Sequence, residues 1–217
     1  MDASRAVLLR HVLESTPWVD RTRSFARSLR TSTRHPGGLL LVGTPQEEPW
    51  HLAAHLDDES RLSDVPELAP TLVRWAPPPG APAHLAVGLD RLEAARRGET
   101  LFVVAPDAAP GALLERVSDA KRLGATVLSL DSGDAELAGL AHDALSVPPS
   151  GLLVPRSGLE VDEPELLDAA VSLDVVSHLV SVAAGEPLQS ATAARGRGFR
   201  DRLARVLDTV SGPAPRR

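Results

Sequence analysis

The residues best equipped for chemistry stand close together in the first third of the chain: Glu47, Glu48, His51, His55 and Asp58. His51 and His55 are four positions apart, which on a helix puts both imidazoles on one face with Asp58 near them. Such spacing can hold a metal, but the glutamate that follows the first histidine in zinc proteases is missing, and no metal is assigned. Glu47 or Glu48 with His51 would form a general acid/base pair, one group taking a proton and the other delivering one to a neighbouring atom. The two glutamates equally fit ordinary helix-start carboxylates beside a solvent-facing histidine. His178 stands next to Leu179 in an apolar run and reads as a core or interface histidine. With no cysteine in the chain, disulfides, thiolate nucleophiles and Cys-ligated metals are ruled out. No Gly-x-Ser-x-Gly elbow, Walker loop or Gly-x-Gly-x-x-Gly fingerprint occurs.

These groups must be carried by elements whose pattern repeats along the chain. Leu39 to Gly43 is a short continuous apolar run of the kind found in a strand buried on both faces. Similar runs return at Thr71 to Trp75, Thr100 to Ala105, Ala125 to Leu130 and Ala144 to Val147. Helix-like stretches separate them: Pro49 to Leu56, Pro82 to Arg96, Pro110 to Leu123 and Ala135 to Ala141, three of them opening on a proline that a first helical turn tolerates. Strands alternating with helices predict βαβ units and a parallel sheet covered on both faces. Before this pattern, apolar residues from Ser4 to Leu29 recur at helical spacing, with a break expected near Pro17. After it come a Pro/Gly/Ser-rich connection from Pro148 to Gly158, a long apolar helix from Glu163 to Ala184 and an amphipathic helix from Ala191 to Val210. The reading is a helical segment at 1–35, an α/β domain at 36–190, a C-terminal helix at 191–210 and a disordered tail at 211–217.

The chain has 217 residues and a net charge of -6, unevenly spread. Residues 1–35 carry +4, residues 191–217 carry +5 and the stretch between them carries -15. A single lysine against 22 arginines, with no isoleucine or asparagine, points to a GC-rich coding sequence, so each arginine carries less functional weight. The basic ends are expected to dock on the acidic body or on another copy of the chain; without interleaved aromatics, a nucleic-acid partner is not expected. No run of apolar residues reaches membrane-spanning length and no secretory signal is seen, so a soluble cytoplasmic protein without a membrane partner is expected.

Three stretches together resemble the central half of a SIS (sugar isomerase) domain. They are Arg97-Gly98-Glu99-Thr100 running into the apolar strand to Ala105, Asp119-Ala120-Lys121-Arg122-Leu123-Gly124-Ala125-Thr126-Val127, and Leu137-Ala138-Gly139-Leu140-Ala141-His142-Asp143. The resemblance extends over roughly residues 36–185. It implies an α/β fold, a three-layer αβα sandwich with a five-stranded, doubly wound parallel sheet flanked by N- and C-terminal helices. It also implies a homo-oligomer, dimer or tetramer, that binds a phosphosugar or related carbohydrate derivative; a nucleotide-type ligand is a further option, and no cofactor is expected.

In such a fold the ligand lies at the carboxyl ends of the strands. The resemblance therefore marks Gly43, Thr44 and Gln46 after the first strand, Asp107 and Ala108 after the third, and Asp131 and Ser132 after the fourth as ligand-binding positions. The family holds phosphate with hydroxyls and backbone N–H groups at a helix start. Here Pro106-Asp107-Ala108-Ala109-Pro110-Gly111 has no hydroxyl, and Asp107 is expected to cap the helix itself. Glu47, Glu48, Asp131 and Asp134 make the remaining strand ends acidic. The expectation is a non-catalytic carbohydrate-derivative binding protein serving as a ligand-binding or oligomeric interaction module. The alternative is a sugar-phosphate isomerase with acid/base chemistry from Glu47, Glu48 or His51.

Overall fold

The fold is built on five short strands, and the computed structural model describes residues 18–147 and 172–186. In chain order the described elements are α1 (Trp18–Ser32), β1 (Leu39–Val42), α2 (Trp50–Leu62), β2 (Pro70–Val73), α3 (Asp90–Glu93), β3 (Thr100–Ala105), α4 (Gly111–Arg122), β4 (Thr126–Asp131), α5 (Ala135–Leu140), β5 (Asp143–Ser146) and α6 (Leu173–Ala184). All strand pairs are parallel, in the order β2-β1-β3-β4-β5.

All four residues of β1 and all six of β3 are buried, as continuous apolar strands between two helical layers must be. Alternation sorts their side chains by face. Leu39, Leu41, Phe102, Val104, Leu128 and Leu130 pack beneath α1, α2 and α6, where Phe25 meets Phe102 with ring centroids 5.6 Å apart. Leu40, Val42, Leu101, Val103 and Val127 face the opposite layer, formed by α3, α4 and α5 through Leu92, Leu113, Val117 and Leu137. The result is a three-layer α/β sandwich. Helix α1 is fastened to the edge strand β5: Arg21 donates to Asp143 Oδ1 at 2.7 Å and Ser28 Oγ to Asp143 Oδ2 at 2.8 Å.

The boundaries depart from the sequence reading at three main places, the first being α2, which runs past the expected Leu56 to Leu62. A continuous helix from Pro82 to Arg96 is not formed; a 3-10 turn at Ala83–Leu85 and a single helical turn at Asp90–Glu93 replace it. The cause is backbone competition: Arg74 N donates to Val87 O at 2.8 Å and Arg74 bridges Gly88 in parallel, which draws that stretch alongside the end of β2. Helix α6 begins at Leu173, because Ser172 sits in extended backbone and its hydroxyl accepts from Val175 N at 3.3 Å as an N-cap. The expected helix segments at 4–17, 163–171 and 191–210, the connection at 148–158 and the tail at 211–217 lie outside the described residues. In α6, residues 176–184 are all buried, which fits a helix apolar around most of its circumference.

The strand order fixes where the connections on the two faces diverge. The connection from β1 passes through α2 to β2 on one face, and that from β3 passes through α4 to β4 on the other. Chains leaving adjacent strands in opposite directions part at the carboxyl ends of β1 and β3.

Candidate functional site

The loop after β1 is folded tightly on itself. A Cβ on Gly43 would lie 2.1 Å from Glu47 O and 2.7 Å from Pro49 Cδ, so only glycine fits there. Thr44 is fully buried and its hydroxyl makes no hydrogen bond, while Gln46 and Glu47 are exposed. Glu48 is committed to holding the loop: it accepts from Trp50 Nε1 at 3.0 Å and Arg74 Nε at 2.9 Å through Oε2, and from Trp75 N at 3.2 Å through Oε1. The Arg74 guanidinium also lies 4.7 Å from the centroid of the Trp50 ring, a cation–π contact. Trp75 Nε1 closes the network on Gly43 O at 2.9 Å.

After β3, Asp107 and Ala108 are exposed, and Asp107 is not the cap expected of it. Pro110 occupies the N-cap of α4 and offers no side-chain acceptor. Asp134 does the capping instead, on the neighbouring helix. Its Oδ1 accepts from Glu136 N and Leu137 N at 3.0 Å each, and its Oδ2 reaches the β3–α4 loop to take Ala109 N–H at 2.7 Å. A carboxylate of the chain thus occupies a backbone donor of the β3–α4 loop. At the end of β4, Asp131 is fully buried, accepting from Ser129 Oγ at 3.0 Å and Gly133 N at 2.9 Å; Ser132 is half-buried beside it.

His51 turns toward α6. With His55 it meets His178 in a three-imidazole cluster whose ring centroids are 4.9 Å (His51–His55), 4.8 Å (His51–His178) and 4.3 Å (His55–His178) apart. Asp174, one turn before His178, lies 3.8 Å from His51 Nδ1 and 3.9 Å from His178 Nε2. His178 is 3% exposed and neither ring nitrogen has a hydrogen-bond partner. Burial lowers its pKa, with His55 and His51 adding repulsion and Asp174 pulling the other way. Burial and His51 likewise lower His55, against Asp58 and Asp174. The spacing of His51 and His55 was legible in the sequence; their convergence with His178 was not, since only the packing of α2 against α6 brings them together. An apolar helix interrupted by histidine and aspartate at i,i+4 was the available signal.

No family model matches the chain, and no curated protein matches it by sequence. Among solved structures it is similar to a Salmonella typhimurium LT2 protein provisionally called sugar binding, with a TM-score of 0.54 and 13% identity. The match covers 94% of this chain and 52% of the other, so this chain spans about half that structure's length. A likeness at that identity establishes a shared fold. Among the described residues no helix is long and apolar enough to cross a membrane.

Proposed function

We propose that this chain is a SIS-like module that binds a carbohydrate derivative at the β1/β3 crevice without transforming it, and that it works as a ligand-binding unit in a homo-oligomer. The observation that carries this reading is the bond from Ala109 N–H to Asp134. In the loop where a phosphate would be received there is no hydroxyl, and this N–H already serves an internal carboxylate. An incoming phosphate would meet that charge, and it would meet the exposed Glu47 on the loop after β1. Neutral or amino-substituted sugars, which offer hydroxyl and ammonium donors to carboxylates, suit such a crevice better. The fold shared with a protein called sugar binding supports the ligand class.

The reading also assigns Glu48 a structural place, because three donors already claim its two oxygens. Thermal shift of the purified full chain against neutral sugars, amino sugars, sugar phosphates and nucleotides tests it, since a ligand bound only by the folded state raises apparent stability. Stabilisation by neutral or amino sugars is expected, with sugar phosphates inert. Turnover of an aldose or ketose phosphate at enzyme-like rates would overturn the non-catalytic assignment, and light scattering on the same sample tests the oligomer.

A further inference from the structure

We infer that His51, His55 and His178 form a binding site for a zinc-like divalent transition metal, with Asp174 beside it as the neutralising carboxylate. The site bridges two elements that are distant in sequence, the first two turns of α2 and the first two turns of α6. One potential ligand atom from each histidine lies within 4.8 Å of the other two. A tetrahedral ion with metal–nitrogen bonds of about 2.0–2.1 Å requires ligand atoms some 3.3 Å apart, a contraction that small rotations of three unanchored rings supply. Three histidines with a fourth position left to water or carboxylate are a donor set that zinc and its neighbours accept, and that magnesium and calcium, which want oxygen, do not.

The second observation is the state of His178. A 3% exposed imidazole with both nitrogens unpartnered is an orphaned polar group, and it looks onto two further imidazoles. His142 shows the ordinary solution elsewhere in the same chain: its Nδ1 accepts from Val127 N at 2.9 Å. Nothing comparable serves His178, whose neighbours His51, His55 and Asp174 are themselves metal donors. A cation held by the three rings would give one nitrogen of His178 its partner and would turn a mutually unfavourable cluster into a bound set. Buried polar groups are rarely left unpaired without such a reason.

The experiment uses the full chain, purified without a polyhistidine tag and stripped with chelator, titrated with Co²⁺ alone and followed by visible absorption. One equivalent is expected to bind and to give the intense d–d bands of a four-coordinate site, with Zn²⁺ displacing Co²⁺ and Mg²⁺ failing to do so. His51→Ala and His55→Ala are at exposed and half-exposed positions of α2, and circular dichroism checks their fold. Each should weaken binding by more than the roughly 10–100-fold that loss of a supporting partner costs, while His84→Ala, at an exposed position elsewhere, leaves it unchanged. Absence of a one-equivalent transition in the wild type, or a transition that survives both α2 substitutions, would overturn the site. No sugar enters this titration, so its outcome is separate from that of the carbohydrate reading.

Discussion

The carboxylate of Asp134 spans two loops, capping α5 through Glu136 N and Leu137 N while holding Ala109 N–H of the β3–α4 loop at 2.7 Å. It therefore joins the ends of two neighbouring crossovers on the crevice side of the sheet. Its charge also sits where backbone donors would otherwise face an arriving anion.

Replacing this side chain should have two separable effects. Asp134→Ala removes an N-cap and unpairs Ala109 N–H, and should destabilise the fold by about 1–2 kcal/mol in denaturant unfolding. Asp134→Ser restores the cap but not the reach, so it should recover part of that loss. Both variants should gain stabilisation by inorganic phosphate that the wild type lacks; equal phosphate response in all three would mean that Asp134 does not guard the loop.

Glu48 gives the second test. Its ion pair with Arg74 is mostly shielded, and its two oxygens serve Arg74, Trp50 and the backbone of Trp75. Glu48→Ala leaves those donors without their acceptor, with an expected loss of about 1–3 kcal/mol and a changed tryptophan emission from Trp50 and Trp75. Catalysis by Glu48 would instead appear as a loss of turnover at unchanged stability.

How much of this was legible beforehand depends on the range of the interaction that decides each feature. The strands at Leu39–Val42, Thr100–Ala105 and Thr126–Asp131 announce themselves because continuous apolar runs between turn residues have few alternatives in an alternating α/β pattern. The stretch from Pro82 to Arg96 has a helical pattern but forms no continuous helix, because its competitor, Arg74 N donating to Val87 O, lies outside any local window. Asp107 and Asp134 were both readable as helix-start acids, yet which one caps, and what else it holds, depends on loop geometry. The histidine cluster is the extreme case: His178 looks like an ordinary core residue until α6 is laid against α2.

Gly43 is a position where the fold tolerates no side chain. Gly43→Ala places a methyl 2.1 Å from Glu47 O, against backbone and not against a flexible chain end. The β1–α2 loop must shift, with a destabilisation of about 1–3 kcal/mol and disturbance of the Trp75 Nε1 bond to Gly43 O. Because that loop carries Thr44 and Gln46, the carbohydrate response in thermal shift should fall in parallel; an unchanged response would place the ligand elsewhere.

The lowered pKa of His55 and of His178 fixes a direction for acid sensitivity in the chelated protein. In the unfolded chain these histidines take up protons as the pH falls through about 6.5. In the fold, burial and the neighbouring imidazoles keep them neutral to lower pH, with Asp174 and Asp58 opposing only in part. The unfolded state therefore binds more protons over the interval between the two values, and stability falls as the pH drops through it. This contribution is intact above about pH 6.5, where both states are neutral. Comparing denaturant unfolding of the wild type and His178→Leu at pH 7.5 and pH 5.5 isolates the effect from carboxylate titration common to both. The wild type should lose more stability than the variant over that range, since leucine carries no proton to exchange. Equal losses would show that His178 titrates alike in the folded and unfolded chain.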